Sequence, residues 1–347
     1  MAYSGVLDDI RAATALKIPK RLPVFACSEE FDVRIYGAVY NEYNNNAKLM
    51  ADCQIAAIRR FDYDWAWLQV DDCIEFETLG VGVQGEGNIL PATCRYLPAK
   101  PETLRNLRIP SDFNAGRMPV LLEAISRIKE AFGDTVCVTG RTAAPFSSVA
   151  LLFGIEETMM ACYDDPGLIR EAVKKMTEYQ TAWGLAQIKA DADALWFGDC
   201  NASGHLLSPE FYEEFALDGA KTCTEAYKNA GGLVFYHASE HSIPHLKLQV
   251  RTGVSAISVG PGLDMNDAKA AIGGDVCLLG NVDPINTLLY GTPEKVREDS
   301  LRIIAAGGKN GGYLFNSGEM IPRDVPEANM KAFVAAGREA GKPLTDL

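Results

Sequence analysis

The sequence lacks a long apolar run, and none approaches the about 18 consecutive apolar residues that mark a membrane-spanning helix. Residues 1–13 also lack the basic segment followed by an apolar one that is typical of a secretory signal peptide. Basic residues are few, 33 against 46 acidic ones, and the net charge is −13. We therefore expect a cytoplasmic protein with no nucleic acid and no membrane among its partners, although a local basic pocket is compatible with this charge.

Several short motifs that carry chemistry are absent as well: C-x-x-C, G-x-x-x-x-G-K-[ST], G-x-S-x-G and H-E-x-x-H. The nine cysteines are odd in number and irregularly spaced, and some, such as Cys137 and Cys277, lie inside apolar runs. This pattern argues against a disulfide framework. It indicates reduced and mostly buried thiols, as is usual inside cells.

Short apolar runs alternate with amphipathic helical stretches, a pattern that favours a parallel sheet with crossover helices. Eight runs are predicted strands: residues 23–27, 67–71, 136–141, 195–199, 233–237, 256–259, 276–282 and 313–317. Four stretches are predicted helices: residues 119–132, 165–190, 209–230 and 292–306. The sequence thus predicts an α/β fold, a (β/α)8 TIM barrel, with residues 1–347 as one domain. Residues 74–118 are long for a simple connection and are predicted to be an insertion over one mouth of the barrel.

Polar side chains follow most of the predicted strands, at the end where a barrel of this type forms its active site. They include Asp71, Asp72, Arg141, Asp199, His237, Asn281, Asn316 and Glu319. Any one of them could simply face solvent, because strands emerge into water there. The complete set instead indicates a pocket of carboxylates, an arginine and a histidine.

A histidine cluster is the first feature with chemical meaning. Three of the four histidines, His237, His241 and His245, lie within nine residues, and Pro244 argues against a continuous helix through them. His237 is therefore expected to end a strand and to point into the pocket. Two interpretations remain open, a metal site and a structural or surface cluster.

Carboxylates are the second feature. Asp71 and Asp72 could bind a cation, or one of them could be a general acid or base while its neighbour is solvated. Glu319 follows Gly318, which allows a tight turn after the last strand. Glu319 could therefore lie beside the barrel mouth, or it could be a solvated loop residue.

Motifs in both halves of the chain, from about residue 18 to 340, resemble the uroporphyrinogen decarboxylase superfamily. In the second half they are VFYHASEHSIPHL, GVSAISVG, LLGNVDP with a following TPEKV, and YLFNSGEMIP with a following VPEAN. In the first half they are RLPVFAC, FDYDWAWLQVDDCIEFETLG and GRTAAPFSSVALLFG. The resemblance implies a (β/α)8 barrel, in agreement with the strand count.

Two branches of that superfamily are relevant. The decarboxylases carry an arginine-rich motif near the N-terminus that grips porphyrinogen carboxylates, and the corresponding stretch here, FACSEEFDVRIYG, has only Arg34. The other branch contains methyltransferases that work with corrinoid proteins, and LLSPEFYEEF and ADADALWFGD look more like this branch. The resemblance therefore implies a protein similar to methylcobamide:coenzyme M methyltransferases. It also implies a possible homodimer, since homodimers are common in this superfamily.

The resemblance also implies a zinc site, from which this sequence departs. His237 matches the family histidine, but Ser239 and Glu319 stand where the family has its two cysteine ligands. Zinc could be absent, or it could be held by His237, Glu319 and a further oxygen ligand, Glu240 or Asp199. Fewer thiolates leave zinc more electrophilic, which suits polarising an oxygen of the methyl donor.

The resulting hypothesis is a methyltransferase that moves a methyl group from a small methylated donor, such as a methoxylated aromatic compound, to a corrinoid on a separate protein. The corrinoid is expected on a partner because the chain lacks the D-x-H-x-x-G signature of corrinoid-binding domains. The expected roles are metal binding by His237, Glu319 and Glu240, catalysis by Asp71, Asp199 and Glu319, and substrate binding by Arg141, Asn281, Asp72, Tyr236 and Asn316.

Two alternatives stay open. One is a decarboxylase in which Asp71 or Asp72 stabilises a protonated pyrrole. The other is a catalytically silent barrel that binds a ligand or a corrinoid partner. Aromatic residues could wall an aromatic substrate pocket or simply fill the barrel core: Trp65, Trp67, Trp196, Phe197, Phe235 and Tyr236.

Overall fold

A curled sheet of seven parallel strands forms the centre of the protein in a computed structural model that describes residues 3–110 and 112–340. The strands are β1 (Trp65–Trp67), β2 (Gly82–Gln84), β3 (Ala92–Arg95), β4 (Cys137–Ala143), β5 (Ala194–Gly198), β6 (Leu233–Glu240), β7 (Ala256–Val259), β8 (Cys277–Val282) and β9 (Tyr313–Ser317). The large sheet has the order β1-β4-β5-β6-β7-β8-β9, and β2 and β3 form a separate antiparallel hairpin. Because all neighbours in the large sheet are parallel, their carboxyl ends share one edge.

Helices connect these strands and cover the outside of the sheet. They are α1 (Val6–Thr14), α2 (Glu29–Tyr36), α3 (Tyr40–Tyr43), α4 (Ala47–Phe61), α5 (Pro101–Asn106), α6 (Met118–Phe132), α7 (Pro145–Phe153), α8 (Ile155–Asp164), α9 (Pro166–Lys189), α10 (Pro209–Phe211), α11 (Leu217–Asn229), α12 (Ile243–Val250), α13 (Met265–Ile272), α14 (Pro293–Gly307) and α15 (Glu327–Ala340). Two π-helical turns are Tyr212–Ala216 and Pro284–Leu289. Short 3-10 turns are Glu77–Leu79, Gly133–Thr135 and Cys200–Ala202.

Helix ends follow the capping chemistry of the sequence. The side chain of Asp165 accepts a hydrogen bond from Leu168 N (3.1 Å) at the start of α9, and Thr292 accepts one from Lys295 N (3.3 Å) at the start of α14. Three of the four predicted helices are confirmed to within one residue at each end, as α6, α9 and α14. The fourth predicted helix, over 209–230, is helical without a break from residue 209 to residue 229, with a π-helical turn between α10 and α11.

The predicted strand over 67–71 was wrong in its bounds, because β1 is Trp65–Trp67 and the chain turns at Val70. Val70 has a φ of 60°, a left-handed conformation that is unusual for a β-branched residue. Buried groups hold this turn in place. Glu29 accepts a hydrogen bond from Val70 N (2.8 Å), and the Tyr40 hydroxyl donates to Val70 O.

The predicted first strand, residues 23–27, contributes a single parallel bridge between Val24 and Phe315. On the edge of this segment that faces β9, Phe25 N donates to Phe315 O (2.8 Å). On the opposite edge, Asp64 N donates to Val24 O (2.9 Å). This segment therefore lies between β9 and the residue that precedes β1.

Aromatic side chains pack on the concave side of the sheet. Trp65 stacks on Phe25 with ring centroids 4.2 Å apart and meets Trp196 of β5 at 5.7 Å. Phe25 lies 5.8 Å from Phe235 of β6. The Trp65–Trp196 and Phe25–Phe235 pairs each join segments that are not neighbours in the sheet, so the sheet must curl to bring them together.

All nine cysteines lie in the described residues and all are free thiols, seven of them buried, as predicted. In residues 3–110 and 112–340, no helix is long and apolar enough to cross a membrane.

The burial of Glu29 makes stability depend on pH. Burial raises the pKa of Glu29 to about 8, against 4.5 ordinarily, although hydrogen bonds from Tyr43 and Val70 N oppose this rise. The folded state therefore binds this proton more tightly than the unfolded chain does, so the stabilising contribution is complete below about pH 4.5 and is lost as the pH rises through about 8. We expect the free energy of unfolding, measured with urea, to fall across this window, by at most about 1.4 kcal/mol per pH unit from this group.

Glu29→Gln should reduce that slope, whereas Glu42→Gln, at an exposed position, should leave it unchanged. An unchanged slope in Glu29→Gln would contradict the assignment of this proton to Glu29.

Candidate active site

A cavity of about 260 Å³ opens at the carboxyl edge of the sheet, where β1, β4, β5, β6 and β9 or the residues after them contribute its walls. Its polar and aromatic lining consists of Cys27, Trp67, Gln69, Asp72, Arg141, Ser147, Trp196, Cys200, Asn201, His237, Ser239 and Glu319. Trp67 and Trp196 meet edge to face with centroids 5.6 Å apart. The cavity therefore combines two flat apolar walls with ionisable groups.

His237 and Glu319, both predicted site residues, meet in this cavity. His237 Nε2 lies 3.2 Å from Glu319 Oε1, and Nδ1 lies 3.1 Å from Ser258 Oγ. The imidazole ring also stacks on Trp196 with centroids 4.7 Å apart. Both ring nitrogens thus have an oxygen partner, which suits a doubly protonated ring.

Electrostatics favours an ion pair between the two groups. Burial alone would lower the pKa of His237, but the Glu319 carboxylate and the Cys200 thiol raise this pKa well above its ordinary value. Burial would likewise raise the pKa of Glu319, but His237 holds it below its ordinary value. The pair therefore favours a proton on His237 and a negative charge on Glu319.

Arg141, a predicted substrate-binding residue, lies on β4 and lines the cavity, and its side chain is 2% exposed. Its Nη1 donates to Glu75 Oε2 (2.8 Å) and to Asp71 O, and its Nη2 lies 3.3 Å from Asp72 Oδ1. Burial raises the pKa of Glu75 to about 7, although Arg141 acts against this rise. Among the residues that the structure describes, none forms a hydrogen bond with Arg141 Nε.

Asp71, a predicted catalytic residue, does not line the cavity. Its carboxylate accepts two hydrogen bonds from Arg117, one of them at 3.1 Å from Nη2, and a third from Cys73 N at 2.8 Å. Because Asp71 is buried and its charge is compensated, only Asp72 of the predicted pair faces the cavity. Arg117 and Glu75 both come from the predicted insertion 74–118, which supports the cavity wall from behind.

Asp199 and Tyr236 lie on the other side of the sheet. The Tyr236 hydroxyl and Ser147 Oγ (2.7 Å) donate to the Asp199 carboxylate, and Tyr212 lies 3.0 Å from the Tyr236 hydroxyl. Side chains alternate along a strand, so Tyr236 faces the helices when its neighbour His237 faces the cavity. Burial raises the pKa of Asp199 to about 6, and this carboxyl group reaches the cavity only through Ser147.

The two predicted asparagines support loops and do not line the cavity. Asn281 Nδ2 donates to Gly260 O (3.0 Å) and Leu263 O (2.8 Å), which fixes the loop after β7. Asn316 lies beneath Cys27, with Nδ2 3.2 Å from its sulfur. Both are buried, and their amides are occupied by the protein itself.

The predicted zinc site, with His237, Glu319 and Glu240 as ligands, does not fit the structure. Ser239 has a φ of 50° at an irregularity in β6, and this turn directs Glu240 away from the cavity. The Glu240 carboxylate accepts hydrogen bonds from Gly204 N (2.8 Å) and Ser242 N (2.7 Å). Within the described ranges, no group of three or more His, Cys, Asp or Glu side chains is arranged to hold a metal ion.

Several cavity residues were not predicted because they lie beyond the strands, in turns or in α7, and belong to no recognisable motif. These are Gln69, Ser147, Leu151, Asn201 and Met320. The pair of polar residues Ser147 and Ser148 in the otherwise apolar α7 was the available signal. Of the six aromatic residues considered, two, Trp67 and Trp196, line the cavity, and the other four are buried in the core.

Comparisons with known proteins agree over most of the chain. A family model described as Uroporphyrinogen decarboxylase (URO-D) matches residues 8–340. The chain is 28% identical over 329 residues to a uroporphyrinogen decarboxylase of Psychromonas ingrahamii, with 90% of this chain and 88% of that one covered. It is 26% identical over 303 residues to Methylcobamide:CoM methyltransferase MtbA of Methanosarcina acetivorans, with 87% of each chain covered.

A solved structure, a methyltransferase from Methanosarcina mazei, is similar in fold, with a TM-score of 0.88. The match covers 96% of this chain and 98% of that one at 24% sequence identity.

Replacing Glu319 tests the ion pair. Glu319→Gln should lower the pKa of His237, because the burial that disfavours the charged ring is then no longer opposed by a carboxylate. The titration can be followed by NMR of the imidazole signals, since the chain has only four histidines. Glu210→Gln, at a position outside the cavity lining, is the matched control. If His237 titrates over the same pH range in Glu319→Gln and wild type, Glu319 does not hold its proton.

Metal analysis tests the zinc interpretation. We expect the purified protein to hold no stoichiometric zinc, and the content of His237→Ala and Glu319→Ala to be the same as that of wild type. About one zinc per chain in the wild type, lost in both variants, would show that these two residues are metal ligands after all.

Proposed function

The chain belongs to the uroporphyrinogen decarboxylase family, as its motifs predicted, and we propose that it is a methyltransferase of this family. It would move a methyl group from a small methylated donor to a corrinoid on a separate protein. The size of the cavity carries this proposal, because about 260 Å³ is below the about 300–1,000 Å³ of most drug-sized ligand pockets. Such a volume suits a single methoxylated ring between apolar walls and is small for a four-ring porphyrinogen.

We also propose that the sheet closes into the (β/α)8 barrel that the sequence predicted. The backbone hydrogen bonds of Val24 and Phe25 on both sides of residues 23–27 support this closure. So do the aromatic contacts across strands that are not neighbours.

A separate partner supplies the methyl acceptor in this proposal. The sequence has no D-x-H-x-x-G signature, and the name of the Methanosarcina acetivorans relative states a methylcobamide as its substrate. The bound corrinoid would supply the electron pair that accepts the methyl group. The residues described below act on the donor.

His237 is the proposed proton donor. When the methyl group leaves, the carbon–oxygen bond of the donor breaks and its electron pair stays on the oxygen. That oxygen replaces Glu319 Oε1 as the acceptor of the His237 Nε2 proton and takes this proton, so the donor leaves as an alcohol or phenol and the imidazole becomes neutral. Glu319 at 3.2 Å keeps the ring charged beforehand and fixes its orientation.

Methyl transfer from methoxylated benzene derivatives to free cob(I)alamin, followed by the loss of cob(I)alamin absorbance, tests this proposal. His237→Gln should lower the rate by about 10²–10⁴-fold, the usual contribution of a general acid. His205→Gln, an exposed residue outside the cavity lining, should retain the wild-type rate.

Two results would contradict the proposal. Release of carbon dioxide from uroporphyrinogen without methyl transfer would establish the decarboxylase alternative. The similarity to the uroporphyrinogen decarboxylase of Psychromonas ingrahamii supports this alternative. Retention of a corrinoid protein without turnover of any methyl donor would establish the silent barrel.

A further inference from the structure

Three side chains that line the cavity each carry a buried polar atom that has no hydrogen-bond partner within residues 3–110 and 112–340. These atoms are Arg141 Nε, Trp67 Nε1 and Gln69 Oε1. Buried polar groups are almost always hydrogen-bonded in folded proteins, because desolvation without a partner is destabilising. Two of these atoms are donors, so a ligand that satisfies them must bring acceptor oxygens.

The two edges of the Arg141 guanidinium differ in how completely the described residues satisfy their donors. Nη1 is held by Glu75 Oε2 at 2.8 Å and by Asp71 O. On the other edge Nε is unpartnered, and Nη2 has only Asp72 Oδ1 at 3.3 Å. The Asp72 side chain is 63% exposed, so this contact is weak and readily replaced.

Nε and Nη2 are the pair of donors that a carboxylate engages side-on, with two parallel hydrogen bonds. We propose that the substrate of this cavity carries a carboxylate, which binds to this edge of Arg141 and displaces Asp72, while Trp67 Nε1 provides a further donor. For the identity of the reaction, this inference rests on the proposed function. The carboxylate site and the proposed methyl transfer together define the methyl donor as a small methoxylated carboxylic acid.

A cationic substrate is the opposite possibility, since tryptophan faces also bind quaternary ammonium groups. The charges in the cavity argue against it. Glu319 is already paired with His237, and Asp72 extends largely into solvent. A cation would also leave the unpartnered donors of Arg141 and Trp67 without an acceptor.

Calorimetric binding to the isolated chain tests this inference without a corrinoid. The probes are 3-methoxybenzoate, the isosteric neutral 3-methoxybenzamide, and phenyltrimethylammonium. We expect the benzoate to bind at least tenfold more tightly than the other two. Equal or tighter binding of the amide or the ammonium ion would overturn the inference, and so would a lack of binding by 3-methoxybenzoate, benzoate and methoxyacetate alike.

Variants locate the carboxylate within the cavity. Arg141→Lys keeps the charge but loses the two-donor edge, so 3-methoxybenzoate should bind at least tenfold more weakly. Asp72→Asn removes the competing carboxylate, so this variant should bind 3-methoxybenzoate more tightly than wild type does. Arg302→Lys, an exposed arginine outside the cavity, is the matched control and should bind as wild type does.

The Asp72→Asn result keeps the test valid if Arg141→Lys does not fold. Unchanged affinity in a folded Arg141→Lys, or weaker binding in Asp72→Asn, would overturn the assignment of this edge.

Failure of the inference is distinguishable from failure of the proposed function. Selective binding of the acid without methyl transfer would contradict the proposed methyltransferase activity and support the carboxylate site. Methyl transfer from anisole as fast as from 3-methoxybenzoate would contradict the carboxylate site and support the methyltransferase activity.

Discussion

The buried ion pair between Arg141 and Glu75 is the contact on which the geometry of the cavity depends. Their side chains are 2% and 0% exposed, and removing one partner of such a pair typically costs about 3–5 kcal/mol because the other charge stays buried. The pair ties the chain after β1 to strand β4, and Arg117 with Asp71 ties the same chain to the start of α6. These two pairs together fix the wall from which Asp72 faces the cavity.

This arrangement divides the cavity into two chemically different sides. One side offers hydrogen-bond donors from Arg141 and Trp67 that the protein leaves unsatisfied. The other side holds the proton of the His237–Glu319 pair, with Trp196 packed against the imidazole. A ligand anchored at one side presents its remaining atoms to the other, so binding and proton transfer need not compete for the same groups.

The sequence allowed the parallel sheet and four of the longer helical stretches to be predicted, because apolar periodicity and capping residues are local signals. The same local signals placed His237 at the carboxyl end of a predicted strand, and it lines the cavity there. The sequence could not exclude Asp71, since the compensating Arg117 lies 46 residues further along the chain. Tyr236 was misplaced because one residue of strand register decides which side of a sheet a side chain faces. Glu240 was misplaced because an irregularity in β6 reverses its direction.

The most direct test of this account is a crystal structure of the protein with 3-methoxybenzoate bound. The account predicts the carboxylate side-on against Nε and Nη2 of Arg141, the ring against Trp67 and Trp196, and the methoxy oxygen within hydrogen-bond distance of His237 Nε2. A ligand bound outside the cavity, or one whose carboxylate contacts His237 while Arg141 keeps Asp72, would contradict it.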